Sequence, residues 1–417
     1  MRAILKGMRD IYALDLGTTK FCIAALRESP HPEDGGWRVD TVSVAADGMR
    51  RGMVSNIDQA RAALDQLIFQ AEQCLSTDIR RVVVGIAGSH LKGQSISVCC
   101  RVDSGVVSQK EISHLTELAE LNHLGDGREL LHTIPLGYTV DGRPRVDNPI
   151  GLHGKTLDGQ FFLIDADQGY LKDVLAVCNA SGLQVLRFYS EPVASASVTV
   201  PDNLKENGIA MADIGGGTTD GIVFRGGRPV AIFTINIAGK LMTSDLAIGL
   251  GIPVSEAEKA KLHFGISPTM RQDFQEICDL HGQSRLIGTK DMNTILLPRV
   301  HELGCMIAKS LLPFRGSLAS GLFLTGGGSE VRGLPEYFKA KMGIPVLKAK
   351  PTLPDLAGSL PSESKSTKKA DQPTQLATVL GLLNLEIGRI GDHERYRQTT
   401  WSSRYLGPIL NWLKELA

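Results

Sequence analysis

The sequence predicts an α/β fold of two lobes, each started by a strand hairpin, with a small α/β insert in the first lobe. Three observations predict it. The stretch Asp15-Leu16-Gly17-Thr18-Thr19-Lys20 recurs far along the chain as Asp213-Ile214-Gly215-Gly216-Gly217-Thr218-Thr219-Asp220. Each copy joins two apolar runs of strand length, so each reads as a hairpin tip. Between the copies, the block from about 90 to 162 has its own alternation of strand-like and helix-like sequence.

In chain order, IYALDL from Ile11 and FCIAAL form the first hairpin, and WRVDTVSVAA supplies a third strand. From Ser55 to Leu75, apolar Ile57, Leu64, Leu67, Ile68 and Ala71 fall at helical spacing. Ile79 to Ala87 is strand-like. The insert carries strands SISVCCRV and LLHTIPLGYTV, a polar helix near Gln109 to Leu121, and the turn-rich DGRPRVDNPIGLHG. FFLIDAD resumes as a strand, and Leu171 to Ala180 as a helix. The second hairpin system reads GIAMADI, GIVFR and PVAIFTINI. Helical sequence is expected from Ser244 to about Pro313, broken near Ile266 to Pro268. GLFLTGGG is a strand running into glycines. Leu376 to Leu385 is a short apolar helix, and Gly388 to Ser403 reads as a polar linker.

Bulk properties exclude several classes. A chain of 417 residues suits about two to four domains. A formal net charge of +0 argues against general nucleic-acid binding by phosphate neutralisation. The seven cysteines are scattered without a C-x-x-C, and Cys99 and Cys100 read as strand residues; reduced thiols are expected. No apolar run suits a signal peptide or reaches the roughly 18 residues of a membrane span, so membrane contact is expected to be peripheral.

The hairpin tips suit a polyphosphate. Glycines let the backbone approach phosphate oxygens with their N–H groups, and threonine hydroxyls add donors. Asp15 and Asp213 can hold Mg²⁺ through its waters. A single such tip is equally well an ordinary turn, since Asp, Gly and Thr favour turns; two in the same strand context point to a clamp. Leu324-Thr325-Gly326-Gly327-Gly328-Ser329 offers a bare surface for adenine and ribose, although many strand-to-helix turns are glycine-rich. Glu258 and Lys261 share a helix face and could bond ribose and adenine edges, or belong to a solvated charged helix. The chain has no P-loop motif and no dinucleotide fingerprint after its first strand.

In this order the pieces resemble the actin-like ATPase superfamily, and more closely its cell-division branch, FtsA. ALDLGTTK and MADIGGGTTD are similar to the two phosphate motifs, and LTGGGSEVRGL to the adenosine motif. AGKLMTSDLAIGLGIPVSEAEKAKLHFG resembles the segment carrying the nucleotide pair, and ATVLGLL the helix closing the first domain. VVVGIAGSH and LLHTIPLGYTVDG…NPIGLHG resemble the FtsA insert. The resemblance implies two ribonuclease-H-like lobes around a nucleotide cleft. Nucleotide contacts would fall at Gly17, Thr18, Thr19, Lys20, Gly215, Gly216, Gly217, Thr218, Thr219, Gly239, Glu258, Lys261, Gly326, Gly327, Gly328 and Ser329, with Asp15 and Asp213 at a hydrated Mg²⁺. Lys240 departs from the family, which more often has Gly or Asn there. Glu191-Pro192 resembles the pair in the rod-shape relative MreB whose glutamate positions the attacking water; a capping or strand-end role is the alternative.

The resemblance also divides the chain: subdomain IA (1–87), insert IC (88–163), IA continued (164–205), IIA (206–251), helical IIB (252–314), IIA continued (315–350), a flexible loop (351–373), the closing helix of IA (374–387), a linker (388–403) and an amphipathic membrane-targeting helix (404–417). In that last segment Leu406, Ile409, Leu410, Leu413 and Leu416 form one apolar stripe flanked by Tyr405 and Trp412. A helix docked on its own domain is the competing reading. So short a helix is marginal alone and would tether a monomer weakly, whereas aligned subunits would attach firmly.

The function implied is an ATP-binding protein with at most slow hydrolysis. It would polymerise and anchor the FtsZ ring to the cytoplasmic face of the membrane at the division site. Partners would be the FtsZ C-terminal tail, with Arg299 as a contact or simply a surface arginine, further copies of the chain, and the lipid surface. The alternatives are a PilM-like pilus-assembly adaptor and a small-molecule kinase of the same superfamily.

Overall fold

The computed structural model describes residues 10–28, 37–123, 125, 127–266, 273–353 and 373–395. The expected membrane-targeting helix, most of the 351–373 loop and the end of the linker lie outside them.

The first lobe begins with β1 (Ile11–Leu16), β2 (Lys20–Glu28), β3 (Trp37–Ala45), the short pair β4 (Met49–Arg50) and β5 (Met53–Val54), α1 (Ile57–Leu75) and β6 (Arg81–Ile86). The insert comes next as β7 (Lys92–Arg101), α2 (Gln109–His123), β8 (Arg128–Val140) and β9 (Thr156–Asp167). The lobe resumes with α3 (Gln168–Ala180), β10 (Gln184–Ser190), α4 (Glu191–Thr199) and α5 (Asp202–Glu206). The second lobe runs β11 (Ile209–Ile214), β12 (Thr219–Arg225), β13 (Arg228–Ile235), α6 (Gly239–Leu250), α7 (Val254–Phe264), β14 (Phe274–Cys278), β15 (Ser284–Gly288), α8 (Thr289–Leu311), β16 (Leu322–Thr325), α9 (Leu334–Met342) and β17 (Val346–Lys348). Finally α10 (Ala377–Arg395) returns to the first lobe.

The two large sheets share one topology. The first is ordered β10-β6-β1-β2-β3 and the second β17-β16-β11-β12-β13. In each, three antiparallel strands meet two parallel ones. The central strands IYALDL and IAMADI are almost wholly buried because helices cover both faces of parallel sheets. On one face of the first sheet α1 packs Ala60, Leu64, Leu67 and Ala71, one stripe at 3–4 residue spacing. Asn56 starts this helix by accepting the Gln59 N–H, and Ser76 ends it with a left-handed φ of 51°. On the other face α10 packs Val379, Leu380, Leu382 and Leu383.

Helix α4 belongs to both lobes. Ala194 and Val198 join the first-lobe cluster, while Ala196 packs with Ile209, Met211, Ile222 and Phe224 of the second. Its contact with α10 needs a glycine: a Cβ on Gly381 would overlap the Ala194 carbonyl. The insert is a three-stranded antiparallel sheet, β7-β9-β8, whose Val98, Leu157 and Phe161 are covered by Leu115 and Ala119 of α2.

Two sequence expectations need correction, and one element went unread. The span from 244 to 313 is not wholly helical, because β14 and β15 form a hairpin that buries Ile277 and Ile287 in the second-lobe core. FQEIC alternates with period two and the turn is held by Asp279, a pattern too short to stand out beside helical neighbours. Helix α10 continues to Arg395 rather than giving way to a linker at 388, since its buried Ile387 and partly buried Ile390 still pack on the first lobe. A helix, α4, begins at Glu191, with Pro192 in its first turn, where Pro is well tolerated.

Candidate functional site

The two hairpin tips face each other across the gap between the lobes. A Cβ on Gly217 would overlap Thr18 Oγ1, and one on Gly216 would overlap the Thr19 side chain. Thr18 Oγ1 accepts the Gly52 N–H at 3.2 Å, so the β4–β5 hairpin also bears on the first tip. The second tip is tied to α6: Gly239 N–H donates to Gly215 O at 3.0 Å and Lys240 N–H to Gly216 O at 2.9 Å. Lys240 thereby joins the tip through its backbone.

The glycine turn after β16 lies against the same tip. A Cβ on Gly328 would come within 3.2 Å of Gly215 O, and one on Gly326, where φ is +80°, would overlap Asp213 Oδ1. Gly327 is open, with Gln375 Cβ at 3.8 Å from the position of its missing Cβ. From α7, Lys261 reaches beneath the start of α6. Its Nζ donates to Glu258 Oε2 at 2.6 Å, to Thr243 Oγ1 at 2.9 Å and to Gly239 O at 3.3 Å. Lys261 is 3% exposed whereas Glu258 faces outward, and a Cβ on Gly239 would lie 3.5 Å from Lys261 Nζ and 3.7 Å from Gly328 Cα, which brings the pair to the glycine turn. The four motifs therefore converge at one cleft.

Its floor is acidic. Asp15 and Asp213 are the penultimate residues of the equivalent strands β1 and β11. Burial pushes both carboxyls up from 3.8 to about 6, with Lys20 opposing the rise at Asp15. Asp213 Oδ2 accepts from Ser195 Oγ at 2.7 Å and Thr378 Oγ1 at 3.2 Å, which joins α4 and α10 to the second lobe. Glu191 opens α4, and Gly85 leaves space for it, since a Cβ there would sit 3.1 Å from Oε1. Burial raises the Glu191 carboxyl well above its usual range, and Asp15, Asp220 and Asp213 raise it further. Although among the described residues no three acidic, His or Cys side chains stand close enough to hold a metal ion directly, the charges of Asp15, Asp213 and Asp220 thus all bear on Glu191. Mutual repulsion and lost hydration disfavour their charged forms, and a divalent cation would relieve both effects. The donor set fits Mg²⁺, which carries waters and favours one or two carboxylates beside phosphates.

Several expected residues have other partners. Thr219 is fully buried and donates to Ile237 O at 2.7 Å, and Ser329, also fully buried, donates to Gly326 O at 2.7 Å. Their hydroxyls support the loops rather than line the cleft. Lys20 Nζ donates to Gln375 O at 2.8 Å, bridging to the turn before α10. Arg299 lies on α8 away from the cleft, bound to Asp245 at 2.6 and 3.2 Å and to Glu302 at 2.6 Å. The sequence reading missed Asp220, which accepts Thr234 Oγ1 at 2.6 Å and the Gly88 N–H at 3.3 Å. Strand alternation was the available signal: Thr219 points into the lobe, so Asp220 faces the other way. In the first hairpin its counterpart opposite Asp15 is Cys22, so the duplication is chemically unequal.

Two like sheets closing on paired tips define the actin-like ATPase fold. The solved PilM–PilN type IV pilus biogenesis complex matches it with a TM-score of 0.63 at 19% identity, over 90% of this chain and 98% of that one. MreB5 of Spiroplasma citri bound to ADP matches with a TM-score of 0.53 at 14% identity, over 93% and 99%. The family profile described as "Cell division protein FtsA" matches residues 210–381, and "SHS2 domain inserted in FTSA" matches 88–164. The Cell division protein FtsA of Neisseria meningitidis serogroup B is 30% identical over 346 residues, 81% of this chain and 83% of the relative. That of Escherichia coli K12 is 26% identical over 337 residues, 78% and 80% respectively. The chain belongs to the FtsA family of cell division proteins.

Proposed function

We propose that the chain binds ATP with Mg²⁺ between its lobes, assembles with copies of itself and ties the FtsZ ring to the cytoplasmic face of the membrane. The observation that carries this reading is the convergence of both hairpin tips, the glycine turn and the Glu258–Lys261 pair on one acidic cleft. Gly17, Thr18, Thr19, Gly215, Gly216, Gly217 and Thr218 would approach the phosphates, with Lys20 leaving Gln375 O to join them. Gly239 would border the phosphates from the start of α6. Gly326, Gly327 and Gly328 give the adenosine a flat seat, and Glu258 supplies an acceptor for its ribose hydroxyls. Asp15 and Asp213 would hold the hydrated Mg²⁺, which neutralises phosphate charge when bound. Glu191 would orient a water.

Docking of the FtsZ tail on the second lobe is supported by an open groove along α8, lined by Asn293, Thr294, Leu297, Pro298, His301 and Tyr337. Arg299 would shape that groove through Asp245 and Glu302 more than reach into it. Among the described residues no helix is long and apolar enough to cross a membrane. Attachment would come from Tyr405, Leu406, Ile409, Leu410, Trp412, Leu413 and Leu416. Co-sedimentation with anionic vesicles, with and without ATP, tests the assignment. The full chain should pellet, more so when ATP promotes assembly, and a chain ending at Ser403 should stay in solution while still binding ATP. Equal pelleting of both, or no ATP binding by either, would overturn it.

A further inference from the structure

One side chain of the insert reaches the start of α4, beside the cleft. His132 lies on β8, and its Nε2 accepts the Ser190 N–H at 2.9 Å. Ser190 is the last residue of β10 and the N-cap of α4, and Glu191 comes directly after it. The Ser190 side chain makes no capping bond of its own.

A β-bulge makes the contact possible. Leu130 of β8 pairs with Asp165 and His132 with Ile164, leaving Leu131 as the extra residue. A bulge breaks side-chain alternation and re-aims the side chains beyond it. Here Leu130 packs on the insert core, Leu131 on the first-lobe core, and His132 turns to the end of β10. The ring also lies 5.6 Å from Tyr189, whose hydroxyl donates to the buried Glu386 of α10 at 2.7 Å. Burial, with Arg187 beside it, lowers His132 to about 4, so the ring is neutral and its Nε2 free to accept.

We propose that His132 is a positioning residue: through the Ser190 N–H it fixes the turn from β10 into α4 and so holds Glu191 over the cleft floor. It touches neither nucleotide nor water and acts only through the peptide before Glu191. This rests on the reading of the cleft as an ATP site in which Glu191 orients water. A misplacement of about 1 Å at such a group costs rate rather than affinity.

The test compares full-length wild type with His132→Gln, His132→Leu and Glu191→Gln. Phosphate release is measured at saturating Mg²⁺–ATP, and affinity with a fluorescent ATP analogue. His132→Leu, which lacks an acceptor, should slow release about tenfold or more with affinity within about twofold. His132→Gln places an amide oxygen near the lost Nε2 and should keep release within about threefold of wild type. Wild-type release from the Leu variant, equal losses from Leu and Gln, or a Leu defect wholly in affinity would each overturn the proposal. Should the Leu variant fail to fold, the Gln variant alone decides it, a loss of more than about threefold counting against the acceptor role. No release by wild type, or unchanged release by Glu191→Gln, would overturn the underlying reading of Glu191 itself.

Discussion

Replacing Asp15 by Asn should make the nucleotide-free protein more stable and the nucleotide complex weaker. Asp15 is 8% exposed, and burial holds its carboxyl at about 6 against an ordinary 3.8. Between those values the folded chain binds more protons than the unfolded chain. Stability of the nucleotide-free protein therefore falls as pH rises through this window and stays lower above it. The full interval corresponds to roughly 3 kcal/mol, at about 1.4 kcal/mol per tenfold change in proton affinity. The neutral amide of Asn has its own burial cost, so a net gain of about 1–2 kcal/mol is expected near pH 8. Near pH 5 the electrostatic part falls to roughly half, so the net gain should shrink to near zero, because the folded-state carboxyl is then largely protonated. Urea denaturation of both proteins at the two pH values measures the gain, and titration with Mg²⁺–ATP should show affinity reduced about tenfold or more. The reasoning fails if Asn destabilises the nucleotide-free protein near pH 8, or if the gap between the proteins does not shrink toward pH 5. Unchanged ATP affinity would remove Asp15 from the site.

Three further perturbations bear on the cleft and its frame. Gly217→Ala crowds Thr18 Oγ1 without backbone strain, so ATP affinity by calorimetry should fall about tenfold, and Thr18→Ala should restore part of it. Gly381→Ala drives a methyl into the Ala194 carbonyl, which cannot rotate aside; denaturant unfolding should show a loss of about 1–3 kcal/mol or more, since α4 and α10 must separate. Lys261→Met keeps the buried stem but removes the ammonium from Glu258 and Thr243. Nucleotide affinity should fall about tenfold, while stability changes by less than about 2 kcal/mol because Glu258 remains open to water.

Much of the site was legible because phosphate-loop chemistry is local. A glycine–threonine tip between two strands is a property of a few consecutive residues, and its repetition far along the chain marked the two lobes. The parts that stayed hidden depended on partners remote in sequence. Asp220 carries no mark beyond strand alternation until Gly88 and Thr234 close on it. Arg299 looked free for a partner until Asp245, on another helix, engaged its guanidinium. The β14–β15 hairpin was lost among helices because its strands are short, and the core that selects Ile277 and Ile287 is built by distant segments.

The sequence by itself determined the two-lobe duplication, the insert, the phosphate tips and the glycine turn, since turn chemistry and strand patterning are written over spans of a few residues. Only the tertiary structure decided that both tips meet over the buried carboxyls of Asp15 and Asp213, that α4 is shared between the lobes, and that a bulge in the insert aims His132 at the peptide before Glu191. Those outcomes rest on burial and hydrogen bonds between segments far apart in the chain, whose energies exist only once the lobes have closed around them.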